Sequence, residues 1–205
     1  MVGSVTGAAK PADKYHHGDL RQALIDIAPE LVRTRGVPGF TLKEAAQSVG
    51  VSSAAAYRHF ADREDLLVAV AVDGYRRLME RLQTVTITEP FERLTQLMVT
   101  YLRWTTHDHP AFEVMFTAGL NKALHPTLTD AGQEASSVLT EAAISVVPDD
   151  PPRAQALLFN TFALVQGYAL MLGDPNTTAL GPGPDQLIAL AESTIKTICT
   201  SAAGP

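Results

Sequence analysis

Three groups of side chains in this 205-residue chain have types and spacings that chemistry can use. The first is His107-Asp108-His109, which suggests the start of a metal site. An i, i+2 spacing does not put both imidazoles on one helix face, and no third ligand motif follows. The sequence also has no H-E-x-x-H, no glycine-rich phosphate loop and no nucleophile elbow. It therefore predicts no enzyme, no metal and no cofactor. The second group is FTLKEAAQSVGVSSAAAYRHF, residues 40–60, a run of small and polar residues with few large apolar ones. The third is a set of large apolar side chains, Met98, Tyr101, Trp104, Phe112, Met115, Phe116, Phe159 and Phe162, with the polar Gln166 among them. A small-molecule site needs such an apolar lining with a few polar groups. The same spacing also serves plain core.

These groups must be positioned by helices. Leu20, Leu24, Ile27 and Leu31 recur at helical spacing, with Asp19 as the expected N-cap and Gly36 as the stop. Pro29 falls inside that helix and is expected to kink or split it. Thr41 and Glu44 form a T-x-x-E capping box that opens a short helix ending near Ser48. Gly50 suits the left-handed position after it, Val51 plugs the turn, and Ser52 or Ser53 caps a second short helix. Ala56 and Phe60, four apart, face the core together. This pattern is a helix-turn-helix. Further helices are expected over about 63–84, from Pro90, from Pro110, from Pro126 to about Val147, over 153–172 and over about 186–200. The fold class is all-α, about nine helices, with no strand alternation and no repeats.

Apolar residues make up 46% of the chain, a globular composition. Unbroken apolar runs such as Leu66–Val72 are too short to span a bilayer, and no signal peptide opens the sequence. One cysteine, Cys199, cannot form an internal disulfide. The expected compartment is the cytoplasm, with no membrane partner. A net charge of −6 argues against a simple basic nucleic-acid binder. The charge is uneven, however. Through Asp65 there are eight basic residues and eight acidic ones, so the whole −6 falls on the rest of the chain.

Between Leu24 and Leu67 the chain resembles the TetR family of one-component transcriptional regulators. The resemblance rests on Gly36, Phe40, Thr41, Ala45, Ala46, Val49, Gly50, Val51, Ser52, Tyr57, His59, Phe60, Leu66 and Leu67. KYHHGDLRQAL (14–24) and RLTQLMVTYLRWTTHDHPAFEVMF (93–116) are similar to the subgroup whose C-terminal domain is called WHG. FALVQG (162–167) departs from that subgroup, with Phe162 and Gln166 where Trp and His are expected. The resemblance implies a disordered arm (1–13), a DNA-binding domain (14–65) and a ligand-binding and dimerisation domain (66–205). It further implies a homodimer through residues 153–200, a near-palindromic double-stranded DNA operator and release by a small apolar or amphipathic effector. The alternative is a constitutive or architectural regulator with no effector.

Carried over position by position, the second helix of the motif presents Ser52, Ser53, Ala54, Ala55, Tyr57 and Arg58 outward. The alanines can only touch a thymine methyl or permit close approach, so Ser53 and Arg58 are the polar base-contact candidates. Tyr57 and His59 suit phosphate contacts, as do Lys43 and Arg63, while Thr41 presents a helix N-terminus. Lys14, His16 and His17, with Lys10, form a candidate arm on the DNA. In the C-terminal part, Gln166 is the favoured polar contact to a ligand, because a polar group in an apolar helix is costly without a partner.

Overall fold

The computed structural model describes residues 17–174, 176–177 and 181–203, with the side chains of 17–19 and 203 left aside. The arm at 1–13, Lys14 and His16 lie outside the described residues. So does the side chain of His17.

Among the described residues the chain forms nine α-helices and two 3-10 turns, with no strand. The first helix, α1, runs His17–Arg35. It starts two residues before the expected cap, so Asp19 lies in its first turn. Pro29 sits inside it without splitting it. A helix interior tolerates one missing N–H when tertiary packing supplies the stability. Here Leu24, Ala28 and Val32 on either side of the proline are buried. Gly36 ends α1 with φ 72° and its N–H bonded to the Val32 carbonyl at 2.7 Å. A 3-10 turn, Val37–Gly39, leads on.

α2 (Leu42–Ser48) and α3 (Ser53–Ala56) make the motif. Both arms of the Thr41–Glu44 box form: Thr41 N–H donates to the Glu44 carboxylate at 2.8 Å, and Glu44 N–H donates to Thr41 Oγ1 at 3.2 Å. Of the two candidate caps for α3, Ser52 takes the role, its Oγ accepting from Ala55 N–H at 3.3 Å. Ala56 and Phe60 are buried together, as their spacing predicts. Gly50, at φ 77°, has open space where a Cβ would stand. The cost of a side chain there is therefore backbone strain alone. Gly50→Val is expected to destabilise the protein by about 1–2 kcal/mol in urea unfolding, and Gly50→Asn by less, since Asn visits the left-handed region. Equal stability of Gly50→Val and the parent would refute this origin.

α4 (Arg63–Leu82) is capped by Asp62 and packs against α1 on one side and the later helices on the other. The remaining helices are α5 (Pro90–His107), α6 (His109–Thr117), α7 (Pro126–Val146), α8 (Pro151–Gly173) and α9 (Pro184–Ala203). The second 3-10 turn, Lys122–Leu124, precedes α7. Proline stands in the first turn of α5 to α8, where its missing N–H costs nothing. One apolar core runs from Leu20 to Cys199 through all of these elements except the Lys122–Leu124 turn.

α8 corrects the expectation drawn from apolar runs. An 18-residue stretch of it has a mean hydropathy of 1.5, enough by length and composition to cross a membrane. Gln155, Asn160 and Gln166 interrupt its runs, so run length understates its hydropathy. It lies against α5, α7 and α9, yet only 22% of that stretch is buried.

Candidate nucleic-acid interface and ligand cavity

The outer surface of the helix-turn-helix consists of Thr41, Lys43, Ser52, Ala54, Tyr57 and Arg58, all exposed, with Ser53, Ala55 and His59 partly so. Ala56 points inward and is fully buried. These nine members of the predicted set are at least partly exposed, while Lys14, His16 and the His17 side chain lie outside the described residues. The cations on and beside this surface divide into two kinds. Arg35 pairs with Glu44 at 2.6 Å and Arg33 with Glu30, while Arg63 Nη1 donates to the Val37 carbonyl. Among the described residues Lys43 and Arg58 meet no carboxylate. The Thr41 hydroxyl is committed to Glu44, accepting from its N–H and donating to its carboxylate at 2.9 Å. These Thr41 bonds, with Arg35 alongside, hold the Glu44 carboxyl below its usual range. A carboxylate at the start of α2 opposes an incoming phosphate there, so Thr41 serves its helix first.

The chemistry this surface offers follows from its side chains. The two outward alanines, Ala54 and Ala55, bring the backbone of α3 close to any partner without offering a side-chain donor or acceptor. Lys43 and Arg58 flank them with unneutralised positive charge. Tyr57, 56% exposed, adds a phenol and a ring.

The C-terminal helices border a partly open cavity of about 260 Å³, lined from α4, α5, α6, α7 and α8 and from the turn at Lys122. Of the predicted lining, Tyr101, Phe116, Phe159 and Phe162 face it. Tyr101 and Phe162 meet edge to face at 5.8 Å. Met98, Phe112 and Met115 do not face it: they are buried core, because their helix faces pack against neighbours with no gap left. Trp104 faces the other side of α5, where it borders a polar groove with Arg77, Arg81, Arg103 and His107. Gln166 stands behind the wall, accepting a hydrogen bond from the Tyr101 hydroxyl at 3.2 Å. The partner it needed is thus a protein side chain. Burial drives the Tyr101 pKa far upward, so the phenol stays protonated and donates.

Residues the sequence reading missed complete the cavity: Tyr75 and Leu78 from α4, Lys122 from the 3-10 turn, and Gly132, Ala135, Ser136 and Leu139 from α7 with Leu158 from α8. Lys122 Nζ donates to the Tyr75 hydroxyl at 2.7 Å and stands 5.2 Å from the Tyr75 ring centre and 5.5 Å from that of Phe116. His107 and His109 are separated: His107 borders the polar groove, while the His109 ring stacks near Phe112 at 5.7 Å and abuts Gly173. A Cβ at position 173 would come within 1.9 Å of that ring, so a larger residue there would have to push the His109 ring aside.

Known proteins share the helix-turn-helix segment and the fold. Residues 24–70 match the sequence profile described as "Bacterial regulatory proteins, tetR family". The HTH-type transcriptional repressor KstR2 of Mycolicibacterium smegmatis is 31% identical over 91 residues, 43% of this chain and 44% of that protein. The alignment therefore spans less than half of that relative's length. A protein of unknown function from Rhodococcus sp. RHA1 superposes with a TM-score of 0.75 at 24% identity, covering 91% of this chain and 98% of that one. AibR, solved with isovaleryl coenzyme A and operator DNA, gives 0.70 at 19% identity over 86% and 97%. The TetR family regulator PfmR of Thermus thermophilus gives 0.65 at 18% over 86% and 97%. At these identities the structures establish a shared fold.

Proposed function

We propose that this chain, whose residues 24–70 carry the tetR-family segment on a fold shared with TetR regulators, is a ligand-responsive transcriptional repressor. The observation that carries the proposal is the pairing of two features. One is an exposed helix-turn-helix surface on which Lys43 and Arg58 meet no carboxylate among the described residues; the other is a cavity walled in part by α4, which also packs on α1. Residues 14–65 form the reading head and 66–205 the effector and dimer domain. The similarity of residues 93–116 to the WHG subgroup supports a C-terminal domain of that kind, in which Phe162 lines the cavity and Gln166 orients Tyr101.

A second copy of the chain completes the unit. Phe159, Leu170 and Met171 on α8 and Leu190 on α9 are exposed apolar side chains, and α8 carries no charged residue from Ala154 to Gly173. Two such faces related by a two-fold axis form a four-helix contact. That symmetry presents two copies of α3 to successive major grooves, and a near-palindromic operator matches it. The effector acts by binding one arrangement of the two heads more tightly than the other. α4 is the element that carries the shift, since it touches both the cavity and α1.

The test uses the purified protein and the DNA upstream of its own gene. Sequence-specific binding with a half-site spacing of about one helical turn is expected. With about three to five phosphates contacted per half-site, log K should fall with log salt at roughly 0.9 per phosphate. Lys43→Ala and Arg58→Ala should each lower the slope by about 1. Absence of any sequence-specific DNA binding would overturn the proposal. Specific binding that no small molecule relieves would instead establish a constitutive regulator.

A further inference from the structure

Lys122 is the one ammonium in an otherwise apolar cavity wall, and among the described residues it meets no carboxylate. Its Nζ donates to the Tyr75 oxygen, so the phenol's own hydrogen is left to donate elsewhere, as are the other ammonium hydrogens. Both groups line the cavity. The second phenol there, Tyr101, is already committed to Gln166. The lining holds an ammonium and hydroxyls but no carboxylate. A net positive charge of this kind suits a group that only accepts, and an ionised carboxylate is such a group. Elsewhere in the wall, Leu78, Leu139, Leu158, Phe159 and Phe162 offer only apolar surface.

We infer that Lys122, with Tyr75, is the anion-holding end of the effector cavity, and that the effector is a small amphiphile with a carboxylate head and an aliphatic or aromatic tail. This inference rests on the effector reading above and deepens it. A neutral ligand of the same shape would leave the ammonium desolvated without a counter-charge. The cavity, about 260 Å³, lies at the small end of ligand sites, so the tail is short or medium in length. The faces of Tyr75 and Phe116 hold the ammonium in place before the ligand arrives.

Calorimetric titration of the 205-residue protein with octanoate and with octanamide tests the charge assignment. Octanoate is expected to bind about tenfold more tightly than octanamide, the difference of one charge-assisted contact. Lys122→Gln should remove that preference by weakening octanoate alone, and Lys122→Arg should keep it. Thermal unfolding of each variant identifies any that is misfolded, and octanamide binding reports an intact cavity. Equal affinity for the two ligands, no binding of octanoate, or an undiminished preference in Lys122→Gln would overturn the inference. Charge-selective binding that leaves operator DNA bound would uphold the anion site and sink the effector reading instead.

Discussion

Introducing glutamate at Ala163 and Leu190 together is expected to convert the proposed dimer to monomers and to lower operator affinity by at least about 100-fold, roughly 2.7 kcal/mol. Both positions are exposed in the single chain, Leu190 at 49%, so the fold itself has no reason to suffer. Across a two-fold axis each substitution appears twice, which places four like charges in one apolar contact. Each buried, unpaired carboxylate costs several kcal/mol, and the chain already carries −6. A single head retains its contacts to one half-site and loses the second, so affinity falls while half-site preference persists. Sedimentation equilibrium and gel shift measure the two effects, and circular dichroism checks that helicity is unchanged. A double variant that stays dimeric would show that α8 and α9 do not form the contact.

The second large effect is expected from Phe60→Ala. The core around α2 and α3 joins small buried residues, Ala28, Ala45, Ala46 and Ala56, to buried leucines such as Leu24, Leu42 and Leu66. Phe60, 2% exposed, and Phe40 supply its aromatic rings. The Arg21 guanidinium covers the Phe60 ring at 5.2 Å. Truncation of such a ring costs about 3–5 kcal/mol, through lost transfer free energy and the cavity left behind. That loss is large against the stability of a whole domain. Specific DNA binding should vanish while the dimer persists, and hydrogen exchange should show protection lost between 20 and 60 and kept from α5 onward. Phe60→Leu, closer in volume, should cost about 1.5 kcal/mol or less. Unchanged DNA binding in Phe60→Ala would show that the head is held by other contacts.

The helix-turn-helix was readable from the sequence because its determinants are local. The capping box spans four residues, Gly50 answers one backbone angle, and the Ala56–Phe60 pair is one helical turn. Such interactions form within a few residues and carry their geometry with them. The start of α1 and the choice between Ser52 and Ser53 were less legible, since neighbouring polar residues compete for the same cap. Pro29 does not break α1 as local rules predict, because burial on both sides of it outweighs one lost hydrogen bond.

The cavity was only partly legible. Helical spacing says that Met98, Trp104, Phe112 and Met115 are buried, and they are. It does not say whether the next element fills the space against them or leaves a void. That depends on how α4, α7 and α8 cross, which no single helix encodes. The polar contacts show the same limit: Tyr101 and Gln166 are 65 residues apart, and Tyr75 and Lys122 are 47 apart. By itself, then, the amino-acid sequence determined the all-α class, the helix-turn-helix and the residues on its outer surface, through short-range caps, turns and periodicity. The tertiary structure alone decided which side chains line the cavity and that an ammonium stands in its wall, because a void and its charges exist only where separate helices meet.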